Sequence, residues 1–451
     1  MNAAQNDTHR IVADVVWTGG TSPTGPSVVE VVDGTITAVE PLTGARPSGP
    51  GTVDLGAAVL MPGLVNTHAH TPMSLMRGVA EGHSLLTMEG FLAVLRTREA
   101  HLTPALVPAS VQVSCADFIR HGITAFADQY FFADQIAPAV IDSGLRAALA
   151  WGIVELGDDD ARAREVAAAT RFAEQIQGAS RIVRGWLGPH AFFVDNQPEA
   201  MVIARDVAER LGVGLHVHFS TSSEEDDYCQ AHFGTSALTQ LTEMGMLRVP
   251  TILAHGNTIR TDELPLLAGT PATISVVPSV AMQSGVPAAP VRAALDAGVN
   301  VALGTDNPCN NTNADLFEEM ATLGKLAAFT SRRPNEVTPA EILRIATVNG
   351  HRALGGAAVD GTLVPGAVAD MIAIPISEIA RGPVGAQSLE SALVYGTSGA
   401  SVRDSMVDGR WVMRDQDVLT IDVPAALRAQ QTDYDTLTAR MLAAEEHRGR
   451  E

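Results

Sequence analysis

The sequence predicts an α/β protein: a (β/α)8 barrel of the TIM type, with a small β-sandwich domain built from both chain ends. Three observations carry this. Short apolar runs alternate eight times with Ala-, Leu- and Glu-rich stretches between residues 58 and 305. Histidines and an aspartate recur where those runs end. A valine-rich texture broken by Asp-Gly occurs near both ends of the chain. Alternation alone also allows an open doubly wound sheet, but no Gly-x-Gly-x-x-Gly follows the first run.

In chain order, residues 10–17, 27–32 and 35–41 read as strands, with Asp33-Gly34 as a hairpin turn. The run 58–65 is too short to span a membrane and reads as a buried strand, the first of the barrel. The other barrel candidates are 122–128, 146–152, 182–187, 214–219, 251–255, 272–277 and 299–305. Segments such as 198–211 and 290–297 read as the helices between them. Residues 362–366, 369–374 and 406–412 return to the β texture, with a second Asp-Gly at 408–409. The expected organisation is therefore a composite β domain (1–57 plus 358–423), a hydrolase barrel (58–357) and a C-terminal helix and tail (424–451). The helix is expected over 425–447, covering a surface.

Composition narrows the class. The 451 residues are 46% hydrophobic and 18% charged, which fits a packed globular chain rather than a disordered one. A formal charge of −21 repels phosphate backbones and anionic lipid, so neither nucleic acid nor membrane is an expected partner. Residues 1–10 are polar and lack a signal-peptide pattern, and no apolar run approaches a membrane span. Cys115, Cys229 and Cys309 have no paired spacing, which points to a reducing, cytoplasmic setting.

In a barrel of this type functional groups sit at the C-terminal ends of the strands, so each polar residue can be tested by position. His68 and His70 end the first strand and, two residues apart, point to one side. Alone, such a pair is a weak signal. His216 and His218 lie on the fifth strand, His255 ends the sixth and Asp306 ends the eighth. His216, nearer the strand start, reads as a packed or supporting histidine. Three imidazoles and a carboxylate at a barrel mouth are a zinc or iron set that leaves a position for water. One divalent ion is expected, zinc first and iron as the alternative, on His68, His70, His218 and Asp306. Such an ion lowers the pKa of its water. Asp306 can accept that proton, with His255 bonding the nucleophile or the developing oxyanion.

The motifs are Pro62-Gly63-Leu64-Val65-Asn66-Thr67-His68-Ala69-His70, Gly188-Pro189-His190-Ala191, His216-Val217-His218, Ala254-His255, Gly304-Thr305-Asp306 and Gly366-Ala367-Val368-Ala369-Asp370. In this order, over nearly the whole chain, they resemble the amidohydrolase superfamily. The resemblance is to its aminohydrolase branch of S-adenosylhomocysteine/methylthioadenosine deaminases and triazine hydrolases. It implies the same four ligands, with His255 beside the nucleophilic water. It also implies that His190 contacts substrate and that Glu99 binds the ribose of nucleosides; a solvated helix charge explains Glu99 as simply.

The pattern breaks in three places. Thr221 stands where deaminases of this branch carry the glutamate of His-x-x-Glu, and a hydroxyl cannot replace a carboxylate as acid–base. Glu224 or Glu225 could reach in, although 224–227 reads as an exposed acidic turn; the substrate could need no ring protonation, the favoured account; or deamination could be lost. After the third strand the branch tends to carry an arginine for adenosyl-type substrates, whereas this chain has Ala150-Trp151-Gly152. Trp151 would offer a ring an apolar face, or belong to the core. In the run 307–313, Asn310 could read a heterocycle edge, or simply make a turn. The expected function is mononuclear, metal-dependent hydrolysis of a C–N bond in a small nitrogen heterocycle, as a deaminase releasing ammonia, in a homodimer or homotetramer. The alternatives are removal of an alkylamine, ring amide or halide by the same fold, and a catalytically silent metal-containing binder.

Overall fold

The computed structural model describes residues 8–20, 24–357, 359–379 and 388–448. At its centre stand eight parallel strands: β1 (Leu64–Ala69), β2 (Ile123–Tyr130), β3 (Arg146–Ile153), β4 (Val183–Pro189), β5 (Leu215–Phe219), β6 (Thr251–His255), β7 (Ala272–Val276) and β8 (Asn300–Leu303). Each pairs with the next in sequence. The ring is closed where the N–H groups of Thr305 and Asp306 donate to the His68 carbonyl, at 3.2 and 2.9 Å. Helices cover the outside, so the strands are buried on both faces and read as apolar runs; β2 is buried at every position. The helix Asp159–Ile176 shows the complementary pattern. It buries Val166, Ala169, Phe172, Ala173 and Ile176 along one face, and the Asp158 carboxylate caps its first turn.

The run 58–65 is two strands, not one. Ala58–Pro62 pairs with Met371–Pro375 and Val15–Val16 in the small domain, and β1 starts at Leu64. The break falls at Gly63, where a Cβ would lie 2.0 Å from Thr124 Oγ1, so only glycine lets the chain pass. Burial on both sides of the break hides it from periodicity.

The small domain is two facing sheets. One has four strands, Thr35–Pro41, Ser27–Val32, Thr8–Ala13 and Thr52–Asp54. The other has six: Asp417–Val418, Arg410–Arg414, Asp404–Val407, Met371–Pro375, Ala58–Pro62 and Val15–Val16. Ile11, Val29, Ile36, Leu60, Met371 and Met406 fill the space between them. Both Asp-Gly turns have positive φ at both residues (49° and 78°; 52° and 78°), the backbone of a tight hairpin. Asp370, which closes the last motif, is buried and accepts two bonds from Arg146 at the start of β3 (2.6 and 3.1 Å). This bidentate pair joins the small domain to the N-terminal end of the barrel, away from the mouth. The last helix, Val423–Arg448, packs on Pro108–Arg120, and Gln430 Nε2 donates to Ser74 Oγ.

Candidate active site

Period two puts His68 on the inward face of β1, with His70 just past its end, and His216 and His218 on the inward face of β5. One ligand atom each from His68, His70, His218 and Asp306 lies within 4.8 Å of the others. Asp306 Oδ1 is 3.3 Å from His68 Nε2 and 3.2 Å from His70 Nε2. The far nitrogens are held by neighbours. His70 Nδ1 donates to the Gln129 carbonyl (2.6 Å) and His218 Nδ1 to the His190 carbonyl (2.9 Å). His68 Nδ1 shares a hydrogen bond with His216 Nε2 (2.8 Å). A proton held on Nδ1 leaves the Nε2 lone pair aimed at the common point, as in metal-ligating histidines. His68 Nε2 is buried there without a hydrogen-bond partner among the described residues. Three imidazole nitrogens and a carboxylate fit a divalent cation such as zinc.

Electrostatics agree with that assignment. Burial lowers the pKa of His68 and drives those of His216 and His218 well down, keeping them neutral as ligands must be. Burial works against both charges of the His70–Asp306 pair. Their mutual attraction nevertheless raises His70, and the nearness of His68 and His70 holds Asp306 well below the carboxylate range. A cation at the common point would take over the charge that the His70 proton supplies. His255 stands beside the cluster, its ring 5.0 Å from that of His68. Burial pushes it down to about 3, and both its nitrogens are buried and unpartnered among the described residues. It is a neutral ring with a free donor and a free acceptor.

The backbone pays for this arrangement. Asp306 (φ 59°) and His255 (φ 82°) are both left-handed, a strain of about 1–3 kcal/mol each that functional sites commonly store. Asn66 braces the Asp306 turn: its Oδ1 accepts from Thr305 N–H (3.0 Å), and its Nδ2 donates to Thr305 Oγ1 (2.7 Å). Asn311 Nδ2 ties the Thr305 carbonyl (2.9 Å) to buried Glu319 (2.8 Å). Gly304 allows the close approach, since a Cβ there would lie 2.7 Å from His68 Cβ.

A cavity with about 790 Å³ of empty space, part of it open to solvent, lies over the cluster. His70, His218, His255 and Asp306 form its floor, and Leu85, Leu86, Met88, Phe91 and Leu95 cover one wall. Glu99, Tyr130 and His190 line it too. Tyr130 donates to Glu99 Oε1 (2.9 Å), while Glu99 Oε2 has no hydrogen bond. His190 Nδ1 is 2.9 Å from Asp195, and its ring stacks on Phe91 at 5.6 Å.

The sequence model of the amidohydrolase family matches residues 59–412. The chain belongs to the amidohydrolase family. This amidohydrolase is 33% identical over 414 residues to the 5'-deoxyadenosine deaminase of Methanosarcina mazei, covering 92% of this chain and 94% of that one. It is 32% identical over 401 residues to the 5-methylthioadenosine/S-adenosylhomocysteine deaminase of Moorella thermoacetica, covering 88% and 92%. Among solved structures, an adenosine deaminase from Xanthomonas campestris with bound zinc superposes with a TM-score of 0.88 at 26% identity, covering 95% and 98%. Atrazine chlorohydrolase from Arthrobacter aurescens, complexed with zinc, shares the fold at a TM-score of 0.84 and 22% identity, covering 94% and 100%. The hydrolytic carbon–nitrogen chemistry expected from the sequence agrees with this membership.

Not every residue singled out from the amidohydrolase's sequence reaches the cavity. His190, Glu99 and Thr221 line it. Glu99 is no solvated helix charge: its side chain is 7% exposed. Trp151 does not line it. Its indole N–H donates to Glu165 Oε2 (3.2 Å) and its ring lies 6.0 Å from Phe172, both on the helix Asp159–Ile176 outside the barrel. Alternation along β3 turns Trp151 outward, and the next residue, Gly152, lines the cavity instead. Asn310 is also absent from the wall. Its Oδ1 accepts from Asn311 N–H (2.9 Å), which is turn duty, and Asn307 takes the place at the cavity. Gln129, Tyr130 and Asp195 were not singled out. The first two fall just past the strand expected over 122–128, because β2 runs to Tyr130, and the strand-end rule would have found them.

The stretch 224–227 is not an exposed turn but the start of the helix Glu224–Phe233. Helical spacing sends Glu225 and Cys229 into the core, while half-buried Glu224 lines the cavity and accepts from Met88 N–H (3.1 Å). Glu225 accepts from Ser220 N–H, and burial pushes its pKa from 4.5 up to about 8. The folded protein therefore keeps a proton that the unfolded chain has released, and stability falls as pH rises from about 4.5 to about 8. Glu225→Gln has no such titration. Its melting temperature should gain on the parent's between about pH 5 and about pH 8, on the order of a few °C. A gap that stays constant with pH, followed by circular dichroism, would contradict a buried titrating carboxyl.

Proposed function

We propose that this protein is a zinc-dependent deaminase that releases ammonia from the base of an adenosine-type nucleoside modified at its 5' end. One observation carries the reading. The three-imidazole, one-carboxylate cluster lies with His255, unpartnered among the described residues, on the floor of a cavity lined by Glu99, whose Oε2 makes no hydrogen bond and stands 3.6 Å from Arg96. The deaminase relatives covering nine-tenths of the chain support the same chemistry.

A divalent cation on His68, His70, His218 and Asp306 would supply Lewis acidity and lower the pKa of a water. Asp306 faces His68 and His70 through Oδ1; its second oxygen can take a proton from the nucleophile and return it to the departing amine. His255 donates to the attacking oxygen, in a dry surrounding where such a bond counts most, and the electron pair displaced onto the ring nitrogen returns to the carbon as the protonated amine leaves. Glu99 Oε2 accepts from the ribose hydroxyls, with Tyr130 fixing the carboxylate. The walls of Phe91, Leu95 and Met88 exclude water from the base.

Thr221 favours a second reading. With a hydroxyl on the wall where the branch has a carboxylate, a leaving group that departs without ring protonation, a halide or an alkylamine, suits the site. Ammonia release is therefore measured over adenosine-type nucleosides, other purines, pyrimidines, pterins and amino-triazines, alongside metal content. Release from 5'-deoxyadenosine or 5'-methylthioadenosine is expected; a metal-loaded protein releasing ammonia from none of the panel would refute deamination. Glu99→Gln should lose about 10–100-fold in kcat/KM on the ribonucleoside, the worth of a hydrogen bond to a charged group, and little on its 2',3'-dideoxy analogue. Equal losses on both would remove Glu99 from the ribose.

A further inference from the structure

We infer that the cavity accepts nucleosides whose 5' end is uncharged and apolar and excludes those bearing a carboxylate there, with Glu224 as the excluding group. The inference rests on the nucleoside reading proposed above. The cavity runs from a buried floor of His255 and Asp306 to a half-buried rim of Thr87, Met88, Thr221 and Glu224. A nucleoside whose base is at the floor and whose ribose meets Glu99 directs its 5' end towards that rim. The apolar wall there rewards a methyl or alkylthio group by removing it from water.

Glu99, Glu224 and Asp306 line the cavity, and among the described residues no lysine or arginine does; positive charge is confined to the histidine cluster on the floor, away from the rim. The nearby cation, Arg96, is engaged elsewhere: its guanidinium carbon lies 5.0 Å from the ring centre of Phe91 and 5.7 Å from that of Phe131, both of which line the cavity. Its nitrogens pair with Asp195 and, at 3.6 Å, with Glu99. A substrate carboxylate would thus lose its water, meet no counter-charge and face like charge at the rim. Glu224 is held in place by the Met88 N–H, a bond that a glutamine in its place can also accept.

The test measures turnover and calorimetric binding of the metal-loaded protein with 5'-deoxyadenosine, 5'-methylthioadenosine, adenosine-5'-carboxylate and S-adenosylhomocysteine. The two neutral nucleosides should exceed both carboxylates by about 100-fold in kcat/KM, the scale of one unpaired like-charge contact. Glu224→Gln should raise the carboxylates about 10-fold relative to the neutral pair. Comparable turnover of all four by the parent protein would overturn the charge selection while leaving deamination standing. A uniform fall of kcat in Glu224→Gln with an unmoved ratio would make Glu224 a proton carrier and overturn its excluding role. Neither binding nor turnover of any nucleoside would sink the nucleoside reading, and this inference with it.

Discussion

His218→Asn is expected to leave the protein with about a tenth or less of the parent's metal after dialysis, and with turnover down by about 10³-fold or more. His218 is the proposed ligand from β5, facing His70 across the common point with Nε2 to Nε2 at 3.2 Å. Its orientation is set from behind by the His190 carbonyl. An asparagine side chain is shorter and offers an amide oxygen, a poorer donor for zinc than an imidazole nitrogen. Two imidazoles and Asp306 would remain, too few to hold an ion against dialysis. Elemental analysis, ammonia release and a melting curve on the same preparation separate metal loss from unfolding. Full metal content in a folded variant would refute the ligand assignment.

His255→Ala should behave in the opposite way. Its metal content is expected to match the parent's, while kcat falls by about 10²–10⁴-fold, the range of a positioned acid–base or oxyanion donor. His255 stands outside the four-ligand cluster although its ring is 5.6 Å from that of His218. Both of its nitrogens are turned to a buried space with no protein partner among the described residues. A buried polar group so placed is costly unless a reactant completes it. Metal loss in step with the fall in kcat would make His255 a ligand; unchanged kcat would remove it from the chemistry.

These two residues also mark how much was legible in the sequence. His68, His70, His218 and Asp306 could be read because two simple rules converge on them: period two along a strand, and function at strand ends. The strand-end rule also contained Gln129 and Tyr130, hidden only by a boundary two residues short. Glu99 was ambiguous for a different reason. The charge is buried by Tyr130, and Arg96 beside it is held by Asp195, partners distant in sequence. Glu224 and Glu225 looked like one acidic turn, yet a helix start sends one to the cavity and its neighbour into the core.

The sequence by itself determined the fold class, the order of the barrel strands and which three histidines and one aspartate would gather at the barrel mouth. All three follow from local periodicity and from residue types whose chemistry is unambiguous. Tertiary structure alone decided the facing of single residues. Trp151 lies outside and Gly152 inside because a one-residue step along a strand reverses the side chain's face, and the turn after β8 puts Asn307 at the cavity and Asn310 off it. It also decided the left-handed backbones of Asp306 and His255. At Asp306 that strain is held by Asn66 and by closure of β8 onto β1, contacts that span some 240 residues and leave no local trace.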